Sequence, residues 1–173
     1  FEAGLTTTTV TTGDLADKVT NTGVVAVTTS SFALASGNDT LTVGNADFAG
    51  SSITAGEGDD IIDLGDGVSQ SGTTTSSIFL GAGNDTLKVA DELEGAAVTS
   101  SAGNNLIDIG SGTTTTTGGT NDVSITLGAG ADTVAFGTTT AAVIGGKTTI
   151  KLGAGDDLLI AGDNGSTGFT LFG

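Results

Sequence analysis

A short glycine-spaced phrase occurs six times along this chain, and each time it runs directly into a stretch of β-forming residues. The six copies are ASGNDTL at 35–41, GEGDDII at 56–62, GAGNDTL at 81–87, SAGNNLI at 101–107, GAGADTV at 128–134 and GAGDDLL at 153–159. The fifth residues of the copies lie 21, 25, 20, 27 and 25 residues apart, at Asp39, Asp60, Asp85, Asn105, Asp132 and Asp157. A repeat of this length predicts one coil of a solenoid rather than a segment of a globular fold.

Short runs of alternating residues flank each copy of the phrase. In Ile62-Asp63-Leu64 and Leu87-Lys88-Val89 a charged residue stands between two apolar ones, which is typical of a strand with one buried face. The runs are about four residues long and are cut by glycine, which argues against helices. We therefore predict an all-β parallel solenoid in which each coil is strand, tight glycine turn, strand and loose turn. Its core is expected to hold Ile, Leu, Val and a ladder of Phe.

The predicted organisation is one domain over residues 1–173. An atypical N-terminal coil covers 1–31, because residues 5 to 27 lack the phrase but keep β-type runs such as 24 to 27. Six motif coils of 20–27 residues follow over 32–168, and 169–173 begin an unfinished coil. An unfinished coil leaves a strand edge open to pairing with another chain. We therefore expect a homo-oligomer formed by end-to-end strand pairing.

The composition excludes several classes of function. Only four lysines face 16 Asp and four Glu, for a net charge of -16, so there is no basic patch for nucleic acid. No apolar run reaches the roughly 20 residues of a membrane span. His, Cys and Tyr are absent, which leaves only the repeated carboxylates for acid–base chemistry, and we predict that the protein is not an enzyme. Because Phe1 is first and Met is absent, we interpret the chain as a processed product or an excised fragment.

The residue types of the repeated turn indicate calcium. Ca²⁺ takes six to eight oxygen ligands from carboxylates and backbone carbonyls. Glycine at alternate positions lets carbonyls point into the turn, and stacked aspartates repel one another unless a cation is bound. We predict several structural Ca²⁺ ions held by one column of turn residues. These are Asp39, Gly56, Gly58, Asp60, Gly81, Gly83, Asp85, Asn105, Gly128, Gly130, Asp132, Gly153, Gly155 and Asp157.

The stretch Leu80-Gly81-Ala82-Gly83-Asn84-Asp85-Thr86-Leu87-Lys88 resembles the calcium-binding nonapeptide of RTX proteins, the hemolysin-type repeat GGxGxDxUx. The resemblance covers about residues 34–161 and is best at 56–62, 81–87 and 153–159. It implies a right-handed parallel β-helix or β-roll, extracellular calcium, and secretion by a one-step type I route.

The chain also departs from that repeat. Leu80, Leu127 and Leu152 replace the first glycine, and one good turn occurs per 20 to 27 residues. We therefore expect one main column of ions, as in the calcium solenoids of bacterial surface-layer proteins and adhesins. Ala35 and Ser101 replace leading glycines, so the turns at Asp39 and Asn105 are the expected weak sites. Asp47, Asp66, Asp91 and Asp163 are the candidates for a partial second column.

Two functions follow as expectations. The first is an extracellular structural subunit, stabilised by calcium, that assembles into a fibre or surface layer by head-to-tail stacking. The alternative is an RTX module cut from a larger secreted adhesin or exoenzyme, which folds in calcium after export. The threonine tracts at 6–9, 73–75, 113–117 and 138–140 suggest solubilising loops or surface glycan. Ice binding by threonine arrays is a more distant alternative.

Overall fold

The computed structural model describes residues 4–44, 47–69, 74–110, 113–114, 122–137, 143–144, 148–161 and 170–173. Within these residues the chain forms twenty short β-strands and no helix, which confirms the all-β class. A search of the same residues therefore finds no helix that is long and apolar enough to cross a membrane.

The strands belong to two long sheets and two short ones. The eight-stranded sheet contains β1 (Thr9–Thr11), β4 (Ser31–Ala33), β7 (Ser52–Glu57), β10 (Ser76–Ala82), β12 (Ala96–Ala102), β15 (Val123–Thr126), β18 (Thr148–Lys151) and β20 (Thr170–Phe172). The seven-stranded sheet contains β2 (Lys18–Asn21), β5 (Thr40–Val43), β8 (Ile61–Leu64), β11 (Thr86–Val89), β13 (Leu106–Ile109), β16 (Thr133–Phe136) and β19 (Leu158–Ile160). The short sheets contain β3 (Val27–Thr28), β6 (Phe48–Ala49) and β9 (Val68–Ser69), and β14 (Thr113–Thr114) with β17 (Val143–Ile144).

Neighbouring strands of each long sheet come from consecutive coils and pair in parallel. Strand β8, for example, pairs with β5 on one side and β11 on the other, so that Ile62 lies in register with Leu41 and Leu87. Each coil passes from the eight-stranded sheet through the glycine turn to the seven-stranded sheet, and then returns through a looser connection. The predicted β-solenoid is therefore confirmed.

The looser connection forms a third side of the coil in the N-terminal half. Strands β3, β6 and β9 pair in parallel there, and Val68 forms a further bridge with Leu93. The side chains of Val27, Phe48, Val68 and Leu93 are all fully buried. The prediction of a plain loose turn was wrong here, because strands of two residues are too short to show an alternating pattern.

The core is a set of apolar columns that run along the stack, because side chains alternate in direction along each strand. In the eight-stranded sheet the buried column contains Phe32, Ile53, Ile78, Val98, Ile125 and Ile150. In the seven-stranded sheet the corresponding column contains Leu41, Ile62, Leu87, Ile107 and Val134. Equivalent residues of successive coils therefore bury one another.

The described phenylalanines do not form the expected ladder. The rings of Phe32 and Phe48 contact each other across two sheets, with centroids 6.2 Å apart. Phe136 is buried in the seven-stranded sheet, whereas Phe79 and Phe172 are 40% and 52% exposed. The prediction was wrong because these residues occupy different columns and different faces, which their spacing along the chain does not reveal.

The N-terminal coil consists of β1, β2 and β3, and Ser31 begins the next coil. Within the run 24 to 27 only Val27 enters a strand, and Val24 and Val25 are 76% and 55% exposed. The β-type run predicted there is therefore limited to its last residue. At the other end β20 pairs with β18 and so begins a further coil, while residues 162–169 lie outside the described part.

The outward side of the eight-stranded sheet is rich in hydroxyl groups, and we call it the hydroxyl face. One column contains Thr9, Ser31, Ser52, Ser77, Ala97, Ser124, Thr149 and Thr170. The other contains Thr11, Ala33, Thr54, Phe79, Thr99, Thr126, Lys151 and Phe172. None of these positions is Asp or Glu, although the chain has 20 acidic residues. Charge is therefore distributed unevenly over the coil.

Candidate functional site

The six repeated turns stack at one corner of the solenoid, between the eight-stranded and the seven-stranded sheets. We call this the aspartate corner. Parallel pairing aligns each turn with the next, as in the register of Gly81 with Gly56 and the bridge between Ala129 and Ala154. The structure thus brings the predicted ligand residues together in columns: leading glycines, second glycines, and the Asp or Asn residues at the fifth position of the phrase.

The glycines of the corner are required by close stacking as well as by conformation. Gly58, Gly83 and Gly155 have φ values of 123°, 136° and 148°, a region that other residues rarely adopt. A Cβ atom on Gly83 would overlap the carbonyl oxygen of Gly58 in the coil before it. Part of the glycine signal therefore reports the contact between successive coils rather than a ligand position.

The two replaced leading glycines are accommodated in different ways. Ala35 adopts a positive φ of 72°, which is strained for a residue with a side chain. At Ser101 the pairing of β12 with β10 shifts, so that Gly81 lies opposite Ser100 and Ala82 opposite Ala102. The Ser101 hydroxyl then donates a hydrogen bond of 2.7 Å to the carbonyl oxygen of Gly81. A β-bulge therefore absorbs the missing glycine of the fourth turn.

The fifth residues of the phrase, Asp or Asn in every copy, form a buried ladder, which we call the inner ladder. Asp39, Asp60, Asp85, Asn105 and Asp132 are each at most 2% exposed. In every step the backbone N–H of one coil donates to a side-chain Oδ1 of the next coil. The N···Oδ1 distances are 2.8 Å from Asp39 to Asp60, 3.0 Å to Asp85, 3.1 Å to Asn105, 2.7 Å to Asp132 and 3.0 Å to Asp157. The motif Asp therefore satisfies a turn amide of the neighbouring coil.

The second carboxylate oxygen of the inner ladder has no partner. The Oδ2 atoms of Asp39, Asp60, Asp85 and Asp132 are buried and form no hydrogen bond. Burial, followed by repulsion from nearby carboxylates, raises the pKa of Asp60 and Asp85 from 3.8 to about 6. An unpaired buried carboxylate oxygen is costly, and a cation beside each of these four atoms would supply the missing partner.

Asn105 is the exception in the inner ladder. Its Nδ2 lies within hydrogen-bonding distance of Ser100 Oγ at 3.0 Å, the Gly103 carbonyl at 2.9 Å and Asp132 Oδ1 at 2.9 Å. Its Oδ1 accepts the N–H of Asp85. Both polar atoms of this side chain are therefore satisfied within the protein.

A second ladder runs along the surface, one residue before the inner one, and we call it the outer ladder. Here the N–H of the later coil donates to the side chain of the earlier coil, opposite to the inner direction. The contacts run from Asp59 to Asn38 (3.0 Å), Asn84 to Asp59 (2.7 Å), Asn104 to Asn84 (2.9 Å) and Ala131 to Asn104 (2.7 Å). This structural role was not predicted, although the paired polar residues of NDT, DDI and NNL were a visible signal.

The inner ladder also extends one coil further than predicted. The N–H of Asp17 donates to Asp39 Oδ1 at 2.7 Å, and the Asp17 carboxylate accepts the N–H of Gly13 at 3.1 Å. This coil lacks the repeated phrase, so its membership was not predicted. The available signal was the spacing of 22 residues between Asp17 and Asp39, which falls within the range of the other repeats. At the opposite end Asp157 is half-buried.

The outlying aspartates lie at another corner, beside the three-stranded sheet. Burial, with repulsion from Asp66 next, raises the pKa of Asp47, and Asp91 and Glu94 add to the repulsion. The N–H of Asp91 donates to the carbonyl of Asp66 at 3.0 Å. The fourth member of the suggested second column, Asp163, lies outside the described residues. The other three therefore share a corner, but within the described residues they do not form a group that could hold a metal ion.

The aspartate corner offers only hard oxygen donors, as calcium requires. They are the unpartnered Oδ2 atoms and the carbonyls of stacked glycine turns. Among the described residues, no three acidic, His or Cys side chains converge on one point in a way that could hold a metal ion. An ion here would therefore depend on backbone carbonyls together with one or two carboxylates. The donor type fits calcium rather than a transition metal.

Comparison of the chain with protein-family models, with curated proteins and with solved structures finds no match. The chemistry of the aspartate corner and of the sheet edges is therefore the basis for assigning a function.

Proposed function

We propose that this protein is a non-enzymatic, extracellular structural protein whose β-solenoid is stabilised by Ca²⁺ at the aspartate corner. The observation that carries the proposal is the column of buried carboxylates with an unpartnered Oδ2, at Asp39, Asp60, Asp85 and Asp132. A cation beside each Oδ2 would supply the missing partner and would offset repulsion between successive coils. The chain's net charge of -16 adds a general attraction for cations.

Calcium binding at this corner would be coupled to folding. The oxygens of one site come from coils about 20 to 27 residues apart, so the site does not exist in the unfolded chain. The free energy of binding is then free energy of folding. This coupling suits a protein that leaves the cell unfolded and folds where calcium is abundant, and it supports the extracellular location.

The proposed assembly is head-to-tail stacking of solenoids into a fibre or surface layer. Among the described strands, β1 and β20 are the edges of the eight-stranded sheet, and all three residues of β20 are exposed. An exposed edge is a template for pairing with another strand. In a longer secreted chain the same edges would pair with flanking coils, and the solenoid would then be a calcium-dependent module of an adhesin or exoenzyme.

Direct binding and thermal unfolding test the calcium claim. We expect calorimetric titration to show several Ca²⁺ ions per chain, and circular dichroism to show a higher melting temperature in calcium than in chelator. Screening alone also stabilises an acidic chain, so the controls are Mg²⁺ and K⁺ at matched ionic strength. Equal melting in calcium and in the matched salts, without binding heat, would refute the proposal.

Sedimentation and electron microscopy test the assembly claim separately. With calcium and at high protein concentration, we expect the 173-residue chain to form linear particles that dissociate in chelator. The substitution Leu171→Lys in β20 is expected to shorten these particles, because charged side chains protect sheet edges. The matched control is Leu106→Lys, because Leu106 is half-exposed and lies away from both edges. Monomers under all conditions would favour the module alternative.

The hydroxyl face supports a second candidate function, the ordering of water or ice. Eleven of its sixteen positions are Ser or Thr, on a parallel sheet with coils about 4.8 Å apart. Neighbouring hydroxyls contact each other at one position, where Ser52 Oγ lies 3.1 Å from Ser31 Oγ. A regular array of this kind can hold first-shell water in fixed positions. Apart from Thr9, the Ser and Thr residues of this array lie outside the threonine tracts named above.

Thermal hysteresis of ice growth tests this second candidate. If it is correct, the wild-type protein depresses the freezing point below the melting point, and Thr99→Lys on the hydroxyl face reduces the gap. Thr86→Lys is the control, because Thr86 points outward from the seven-stranded sheet. No hysteresis in the wild type would exclude ice binding and would leave the calcium proposal unaffected.

A further inference from the structure

Asn105 differs from the other buried residues of the inner ladder in how its second side-chain atom is used. The Oδ2 atoms of Asp39, Asp60, Asp85 and Asp132 have no partner. The corresponding atom of Asn105 is an amide nitrogen with three acceptors within 3.0 Å. An amide nitrogen carries hydrogens and has no lone pair to offer a cation. The second side-chain atom of Asn105 thus has partners within the protein, whereas the Oδ2 atoms of these four aspartates have none.

The amide of Asn105 also occupies acceptors that a cation would need. Its contacts include the carbonyl of Gly103, in its own turn, and the Oδ1 of Asp132, in the next coil. The side chain is 2% exposed, so no rotation into solvent replaces these contacts. Positive charge placed beside this NH₂ group would be repelled by its hydrogens. Proton donors and a calcium ion therefore exclude one another at this position.

We propose that Asn105 forms a cation-free coil that divides the calcium column into two blocks, one at Asp39, Asp60 and Asp85 and the other at Asp132 and Asp157. The two-block division rests on the proposed calcium function. The pairing of the Asn105 amide with acceptors inside the protein rests on the hydrogen bonds alone. In the absence of calcium, the coil of Asn105 is then the most stable part of the column.

Replacing Asn105 by Asp tests whether its amide excludes a calcium ion. Asn105→Asp replaces the amide by a carboxylate and recreates the situation of the other coils. We expect one additional Ca²⁺ per chain by calorimetric titration, and a lower melting temperature than wild type in chelator. The control is Asn104→Asp, which adds the same charge one residue away in the exposed outer ladder. It is expected to change neither the number of ions nor the melting in chelator by a comparable amount.

The reciprocal variant keeps the test decisive if Asn105→Asp unfolds in chelator. Asp85→Asn is expected to bind one ion fewer than wild type and to melt at a higher temperature in chelator. The division is overturned if Asn105→Asp and Asp85→Asn both bind the wild-type number of ions. If the wild type binds no calcium, the proposed function fails. Unchanged melting of both variants in chelator would instead overturn the role of the amide.

Discussion

Asp60 and Asp59 are adjacent carboxylates with opposite surroundings, and they allow the buried ladder to be tested with matched substitutions. Asp60 is 1% exposed and its Oδ2 has no partner. Asp59 is exposed and its Oδ1 accepts two hydrogen bonds from Asn84. Replacing either by Asn removes one negative charge and changes the side-chain shape very little. A difference between the two variants therefore reports burial and the missing partner, not net charge.

The expected effect of Asp60→Asn has opposite signs without and with calcium. A pKa raised from 3.8 to about 6 corresponds to about 3 kcal/mol against the ionised form near neutral pH. Screening by solvent near the turn reduces this to about 1–3 kcal/mol. In chelator at pH 7, Asp60→Asn should therefore stabilise the protein by about 1–3 kcal/mol. For a chain of this size, that raises the melting temperature by about 2–12 °C.

In saturating calcium the same variant should be less stable than wild type, because it loses an anionic ligand whose binding contributes to folding. Asp59→Asn should shift stability by no more than about 0.5 kcal/mol in either condition. Its small expected gain comes from weaker repulsion of Asp60 and Asp85. Thermal unfolding by circular dichroism, in chelator and in calcium, measures all four values. If Asp60→Asn destabilises the chelated protein, an unpartnered Oδ2 is not a source of instability and the reasoning is refuted.

Three further predictions concern the stability of the fold, measured by thermal or urea unfolding. In chelator, the free energy of unfolding should fall as pH rises from about 4 to 6. The reason is that the folded-state pKa of Asp60 and of Asp85 is about 6, above the ordinary 3.8, so the folded state holds more protons than the unfolded state. An unchanged melting temperature between pH 5 and 7 would contradict this. Gly83→Ala should prevent stable folding, since its Cβ would overlap the backbone of the preceding coil, whereas Gly13→Ala, with open space around it, should leave the melting temperature within a few degrees of wild type. Ile62→Ala should cost about 2–5 kcal/mol of unfolding free energy, and Ile61→Ala much less, because Ile62 is fully buried and Ile61 is 49% exposed; equal losses in urea unfolding would contradict the assignment of faces.

The stacking of the coils was determined by the sequence because its signals are local and repeated. Alternation around Leu87 and Val89 identifies the buried face of a strand, and the repeated phrase fixes where each coil turns. Once equivalent turns are aligned, parallel pairing places Leu87 beside Ile62 and Ile107 without further information. Alternation involves only a few neighbouring residues, and the period is visible as a recurring phrase, so both can be recognised without the packed structure.

The tertiary structure decided how the repeated polar residues are used. The phrase itself does not distinguish an Asp that bonds its own turn from one that reaches the next coil. The partner of each inner-ladder side chain lies 20 to 27 residues away, and its position depends on the exact rise and register of the stack. For the same reason, the bulge at Ser101 and the membership of Asp17 in the inner ladder were not predicted. Repeat and alternation are thus enough to show that the coils stack and where they turn. Only the stacked coils show which carboxylate oxygens are satisfied, because a hydrogen bond requires both partners to be in place.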